Sequence, residues 1–116
     1  MDKELLVYSN DELGFNKLFD IETCTVGIIN GHIGLSKENQ KKIERHNETD
    51  EIFIPIKGKS ALFVGEDRKY VELYPGKVYC VKKGIWHSFV SDAGGTVIAV
   101  EKTDTGDGNS EYRFKW

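Results

Sequence analysis

Two histidines and two glutamates stand beside tight glycine turns, at intervals suited to metal binding or proton transfer. Glu44-x-His46-x4-Glu51-x6-Gly58 comes first and Gly76-x5-Lys82-x-Gly84-x2-His87 follows. Imidazole and carboxylate suit Fe²⁺, Mn²⁺, Zn²⁺ and Ni²⁺ alike, and imidazole also exchanges protons near neutral pH. Read as strands, the first stretch puts Gln40, Lys42, Glu44 and His46 on one face, with Ile43 and Arg45 on the other. Glu51, Phe53 and Pro55 share a face opposite Ile52, Ile54 and Ile56, and His87 and Phe89 share one opposite Trp86 and Ser88. Charge density alone would make Glu44 and Glu51 solvated groups, because Lys41–Arg45 and Asn47–Glu51 are rich in ionisable residues. Glu44 reads either way, as a surface group or a site group. His32 fits neither pattern and reads as a loop residue.

The elements that must position these groups are short strands between turn signals, the pattern of an all-β sandwich or barrel. Expected strands are Thr23–Ile29, Gln40–His46, Glu51–Lys57, Ala61–Gly65, Lys69–Leu73, Lys77–Val81, His87–Val90, Thr96–Lys102 and Glu111–Phe114. Lys57-Gly58-Lys59 and Pro75-Gly76 supply positive-φ positions, the latter suiting a type II turn. Glu66-Asp67-Arg68 reads as a hairpin tip and Ala93-Gly94-Gly95 as another reversal. Pro55 cannot donate to a ladder, so its strand should be bulged or at an edge there. One short helix is expected near Asp11–Phe19, with Leu13, Phe15, Leu18 and Phe19 as its apolar face and Gly14 weakening it. Thr103–Ser110 is polar and Gly-rich, a candidate mobile loop.

The two motifs resemble those of the cupin superfamily, whose first is usually G-x5-H-x-H-x3–4-E-x6-G and whose second is G-x5-P-x-G-x2-H-x3-N. His46, Glu51, Gly58, Gly76, Gly84 and His87 match in type and spacing. Glu44 stands in place of the first histidine, Lys82 in place of the proline and Ser91 in place of the asparagine. The resemblance implies an all-β, single-domain cupin-type double-stranded β-helix, a jelly-roll barrel, over residues 1–116. It brings Glu44, His46, Glu51 and His87 together inside the barrel as ligands of one divalent metal. A second carboxylate in place of a histidine makes that ligand set harder and less suited to redox cycling. His46, Glu51 and His87 are also the expected catalytic acid–base groups, and Lys42, Phe53 and Phe89 the expected substrate contacts. Taken by themselves, Phe53, Phe63, Trp86 and Phe89 read as core before they read as a substrate platform.

A narrower likeness runs from His46 to Glu111. Arg45-His46 with Ile52-Phe53-Ile54-Pro55-Ile56, then Gly84-Ile85-Trp86-His87, is similar to the R-H-P…F-I-P-L and G-V-W-H-H stretches of ureidoglycolate lyases. Val97–Lys102 and Asp104–Glu111 look like the apolar strand and acidic segment that follow in that family. Glu101-Lys102 stands where an Asp-Arg pair is typical there. This likeness implies a lyase acting on a small polar or anionic metabolite, with Lys42 as the inward cation for a carboxylate. Lys82 reads as surface charge. A metal-dependent dioxygenase or isomerase, and a non-enzymatic metabolite-sensing module, remain the other expectations.

The 116 residues suit one domain, and their formal net charge of -3 argues against a nucleic-acid partner. No apolar run is long enough to span a bilayer, and Met1–Glu4 is too charged to open a signal peptide, so a cytoplasmic protein is expected. Cys24 and Cys80 read as free thiols, small and buried. A homodimer is expected, because small barrels leave sheet edges to cover and Leu5-Leu6-Val7-Tyr8 is an apolar segment outside both motifs.

Overall fold

Ten strands run through the described part of the chain, residues 4–39, 42–105 and 108–116 of a computed structural model. In order they are β1 (Gly14–Ile21), β2 (Cys24–Asn30), β3 (Ile43–His46), β4 (Glu51–Lys57), β5 (Ser60–Val64), β6 (Lys69–Leu73), β7 (Tyr79–Val81), β8 (His87–Ser91), β9 (Thr96–Lys102) and β10 (Ser110–Arg113). Two short 3-10 turns, Ile33–Leu35 and Lys37–Asn39, lie between β2 and β3. The strands pair antiparallel into two five-stranded sheets, ordered β1-β2-β9-β4-β7 and β10-β3-β8-β5-β6. This is the all-β arrangement expected, and β4, β6 and β9 have the expected bounds.

Period-two alternation decides what faces the interior. Phe53, Leu62, Leu73, Val97, Ala99 and Ile29 form the core between the sheets. Neighbouring positions turn outward: Ala61, Phe63 and Val90 form a second cluster, with Trp116 packed against it. Trp86 lies between two guanidinium groups, 4.7 Å from Arg45 and 4.2 Å from Arg113. The outward face of the first sheet is aliphatic in register. Ile28, Ile98 and Ile54 stand side by side, and Val26, Val100 and Ile52 form the next row. These six are half-buried.

The turns follow their residue chemistry. Tyr74–Lys77 closes with Lys77 N–H donating to the Tyr74 carbonyl at 3.3 Å, with Gly76 at φ 93° in the position a type II turn reserves for it. Gly58 has φ 73°, and a Cβ there would meet Gly95 Cα at 2.5 Å. Pro55 pairs with Val97 at a register shift between β4 and β9, beyond the end of β7, which meets the bulge expectation.

Three expectations need correction. Asp11–Phe19 is not a helix: Gly14 at φ 83° opens β1, which pairs with β2 along its length. Leu13, Phe15, Leu18 and Phe19 fit a helical face by spacing, but pairing with β2 satisfies the backbone and overrides that local pattern. The third strand begins at Ile43, and Gln40 and Lys41 lie outside the described residues. The cysteines are free, but Cys24 is only half-buried and Cys80 is exposed, because it points outward from β7. Of the polar stretch Thr103–Ser110, residues 106–107 lie outside the described part.

Candidate metal centre

Four strands deliver the charged groups. Register places Glu44 of β3 opposite His87 of β8, and His46 lies two residues on, on the same face. Glu51 opens β4, one position before the pairing of Ile52 with Val100 of β9. Glu44, His46, Glu51 and His87 each offer a ligand atom, and these atoms lie within 4.8 Å of one another. One oxygen, Glu51 Oε1, is 3.1 Å from both His46 Nε2 and His87 Nε2. Glu44 Oε1 lies 3.6 Å from His46 Nε2 and 4.0 Å from His87 Nε2.

Those separations fit a metal ion. Ligand atoms about 2.1 Å from a divalent centre are roughly 3.0 Å apart when adjacent and roughly 4.2 Å apart when opposite in an octahedron. Two imidazoles and two carboxylates are donors that first-row divalent ions accept. The far nitrogens are already engaged. His46 Nδ1 meets Ser110 Oγ at 2.7 Å, and His87 Nδ1 donates to the Ile85 carbonyl at 3.0 Å. Each ring is thereby fixed with Nε2 toward the cavity, as metal-binding histidines require.

A fifth group belongs to the cluster. Glu101 Oε2, on the inward face of β9, is 3.8 Å from His46 Nε2 and is buried without a hydrogen-bond partner. Neither motif includes it. Two signals point to it: it is the acid that ends the apolar run Val97–Val100, and β9 alternation turns it inward with Val97 and Ala99.

Electrostatics in the cluster are tightly linked. Burial works to raise Glu51, but hydrogen bonds from His46 and His87 and their charge outweigh it and hold the carboxyl near 2. Burial would lower His46, yet Glu44 and Glu51 lift it to about 10. Glu44 is lowered despite burial, chiefly by its hydrogen bond with His46. Glu101 moves the other way: burial, then the Glu51 charge and the hydrogen bond to Glu51, push it to about 8. At neutral pH the cluster therefore holds a protonated His46, ionised Glu44 and Glu51, and a neutral Glu101.

The cluster opens on a cavity of about 560 Å³. The expected substrate contacts Lys42, Phe53 and Phe89 all line it. Phe53 and Phe89 stack with centroids 5.8 Å apart and planes within 6°. Lys42 Nζ is at the mouth, 3.6 Å from Glu44 Oε2 and 4.8 Å from the Tyr112 ring centroid. His32, Arg45 and Lys82 lie elsewhere. His32 caps the first 3-10 turn by accepting from Gly34 N–H, Arg45 pairs with Glu111 on the outer face, and Lys82 pairs with Asp50 in solvent.

No protein-family model matches the chain, and no curated protein matches it in sequence. The narrower likeness to ureidoglycolate lyases gains no support from either comparison. Solved structures do match its shape. An uncharacterised conserved protein with a double-stranded β-helix domain from Klebsiella pneumoniae is 17% identical over 96% of this chain and 85% of that one, with a TM-score of 0.64. A cupin-2 domain protein from Shewanella frigidimarina is 16% identical over 81% and 84%, with a TM-score of 0.60. Fe(II)-HppE in complex with substrate is 13% identical over 88% of this chain and 59% of that one, with a TM-score of 0.61. At such identities the likeness establishes the fold, which is that of the cupin double-stranded β-helix.

Proposed function

We propose that the protein is a metal-dependent enzyme that performs proton-transfer chemistry, of lyase or isomerase type, on a small molecule bound in the barrel. The observation that carries this reading is the convergence of Glu44, His46, Glu51 and His87 at ligand spacing, with the buried carboxyl of Glu101 beside them. A divalent ion held there would polarise a substrate oxygen as a Lewis acid. Two carboxylate ligands balance the charge of that ion and favour Lewis-acid chemistry over redox cycling. Everything else is done by the chain. Ser110 and the Ile85 carbonyl orient the imidazoles. Glu101, buried beside the ligand atoms and without a hydrogen-bond partner on Oε2, is placed to give a proton to a bound oxygen or take one back. Lys42, paired with Glu44 at the mouth, would be the cation that a substrate carboxylate meets on entry.

Fe(II)-HppE, the iron(II) protein similar in fold, favours the metal reading in general terms. The first experiment is elemental analysis of protein purified without chelator and then incubated with Zn²⁺, Mn²⁺, Fe²⁺ and Ni²⁺. Retention of about one ion per chain, lost in His87→Ala and kept in His32→Ala, is the expected result. Substoichiometric metal under every condition would remove the metal reading and leave His46, Glu51 and His87 as metal-free acid–base groups. Turnover is then sought on hydroxy acids, with ureidoglycolate in the panel because of the local likeness between His46 and Glu111.

A further inference from the structure

The cavity is divided by chemistry along its length. Its charged end is made by Glu44, His46, Glu51 and Glu101. Two residues along the same strand faces, Glu51 gives way to Phe53 on β4 and His87 gives way to Phe89 on β8. Two residues of strand amount to about 7 Å, so an aromatic wall stands one small-molecule length from the ligand atoms. Beside Phe53 in the first sheet the next two positions offer almost no bulk: Ala99 pairs with Phe53 on one side and with Gly27 on the other. The ring of Phe15, from β1, lies across Gly27, where a Cβ would come within 2.4 Å of its Cε2. Ile29 and Leu35 continue the apolar lining, and Tyr112 stands at the mouth beside Lys42.

A compact polar metabolite would use the charged end alone and leave this apolar volume in contact with water. From this division of the cavity we infer that the substrate is amphipathic, a small chelating head such as an α-hydroxy acid carried on an apolar body, preferably an aryl ring. The inference rests on the metal-dependent reading and deepens it. Hard oxygen donors of the head meet the ion and Glu101. The ring lies against Phe15, Phe53 and Phe89, where burying a phenyl group is worth on the order of tenfold or more in affinity.

The test is calorimetric titration of Mn²⁺-loaded protein with two matched pairs, glycolate against mandelate and lactate against 3-phenyllactate. Phenyl compounds should bind at least tenfold more tightly than their parents. Phe15→Ala should erase most of that ratio while leaving the fold intact, because the ring it removes is half-exposed and contributes little to the core. Stoichiometric Mn²⁺ with equal affinity inside each pair, or with no binding of any of the four acids, overturns the inference and leaves the metal reading standing. Failure to retain Mn²⁺ at all overturns the metal reading and this inference with it. A phenyl preference that survives unchanged in Phe15→Ala moves the apolar contact elsewhere and also counts against it.

Discussion

Glu51 is the residue on which the site turns. Its Oε1 lies 3.1 Å from Nε2 of both imidazoles inside the barrel, so removing it takes away the nearest counter-charge of the protonated His46. Glu51→Ala should destabilise the metal-free protein by about 3 kcal/mol, the usual cost of breaking a buried pair from one side, and should abolish metal retention; urea unfolding and elemental analysis read the two effects. Stability should also depend on pH in a defined way. Glu51 is lowered from 4.5 to about 2, so its contribution is complete above 4.5 and lost as pH falls toward 2. His46 is raised from 6.5 to about 10, so its contribution is complete below 6.5 and lost as pH rises through 10. Glu101 is raised from 4.5 to about 8, and its contribution likewise fades as pH rises from 4.5 through 8. The metal-free protein should therefore melt highest near pH 4.5 and lose stability on either side, on the alkaline side first through Glu101 and then through His46 as well. A melting midpoint unchanged between pH 5.5 and 9 would contradict the linkage. Metal uptake at pH 7.5 should release on the order of one proton per ion, since His46 must be neutral to bind.

At the scale of elements, much of the site is legible in the amino-acid sequence alone. Motif spacing and alternation place Glu44 and His46 on one face, turn Arg45 away, and make Phe53 and Phe89 follow Glu51 and His87 inward. Glu101 belongs to neither spaced motif, and what betrays it is its place at the end of the apolar run Val97–Val100 and its inward parity on β9. The contact of His46 Nδ1 with Ser110 spans 64 positions and rests on the pairing of β10 with β3, which no local pattern shows. β1 mimics a helix for a similar reason: its partner β2 supplies hydrogen bonds that spacing of apolar residues cannot reveal. Turn glycines are legible as turns, but not in their tolerance. Gly76→Ala faces open space and should cost only the positive-φ strain, about 1 kcal/mol. Gly58→Ala adds a backbone clash with Gly95 to the same strain and should cost clearly more. Equal unfolding midpoints for the two variants would refute this account.

For the molecule as a whole, the outer face of the first sheet matters most. Ile28, Ile98 and Ile54, with Val26, Val100 and Ile52, make an uncharged aliphatic surface, and such surfaces on soluble proteins commonly mark contacts with other chains. We expect a symmetric homodimer formed there, since an uncharged face can meet its own copy without repulsion. The exposed Leu5, Leu6 and Val7 lie outside the strands and offer a second apolar segment. Ile54→Lys should shift light-scattering mass from dimer to monomer while leaving metal retention intact. A monomeric wild type at micromolar concentration would exclude this interface. Among the described residues no helix is long and apolar enough to cross a membrane.

The second sheet has a thin seam. β5 and β8 pair through five residues, from Ser60–Ser91 to Val64–His87, whereas among the described residues β3 meets β8 in register only at Glu44–His87. Two further hydrogen bonds cross nearby, Ser88 Oγ to the Lys42 carbonyl and Gly84 N–H to the His46 carbonyl, each at 2.7 Å. The β3–β10 ribbon, which carries Tyr112 and leads to the cavity mouth, is thus tacked to the barrel along a short line. Glu44 and His46 are on the ribbon side of that line, and Glu51 and His87 are on the barrel side. An ion gripping all four would act as a rivet through the seam, so occupancy of the site would set how firmly the wall of the cavity is shut. Hydrogen–deuterium exchange with and without Mn²⁺ should show this directly. Amides of Ile43–His46 and Ser110–Arg113 should slow markedly on metal addition, while those of Ser60–Val64 should hardly change.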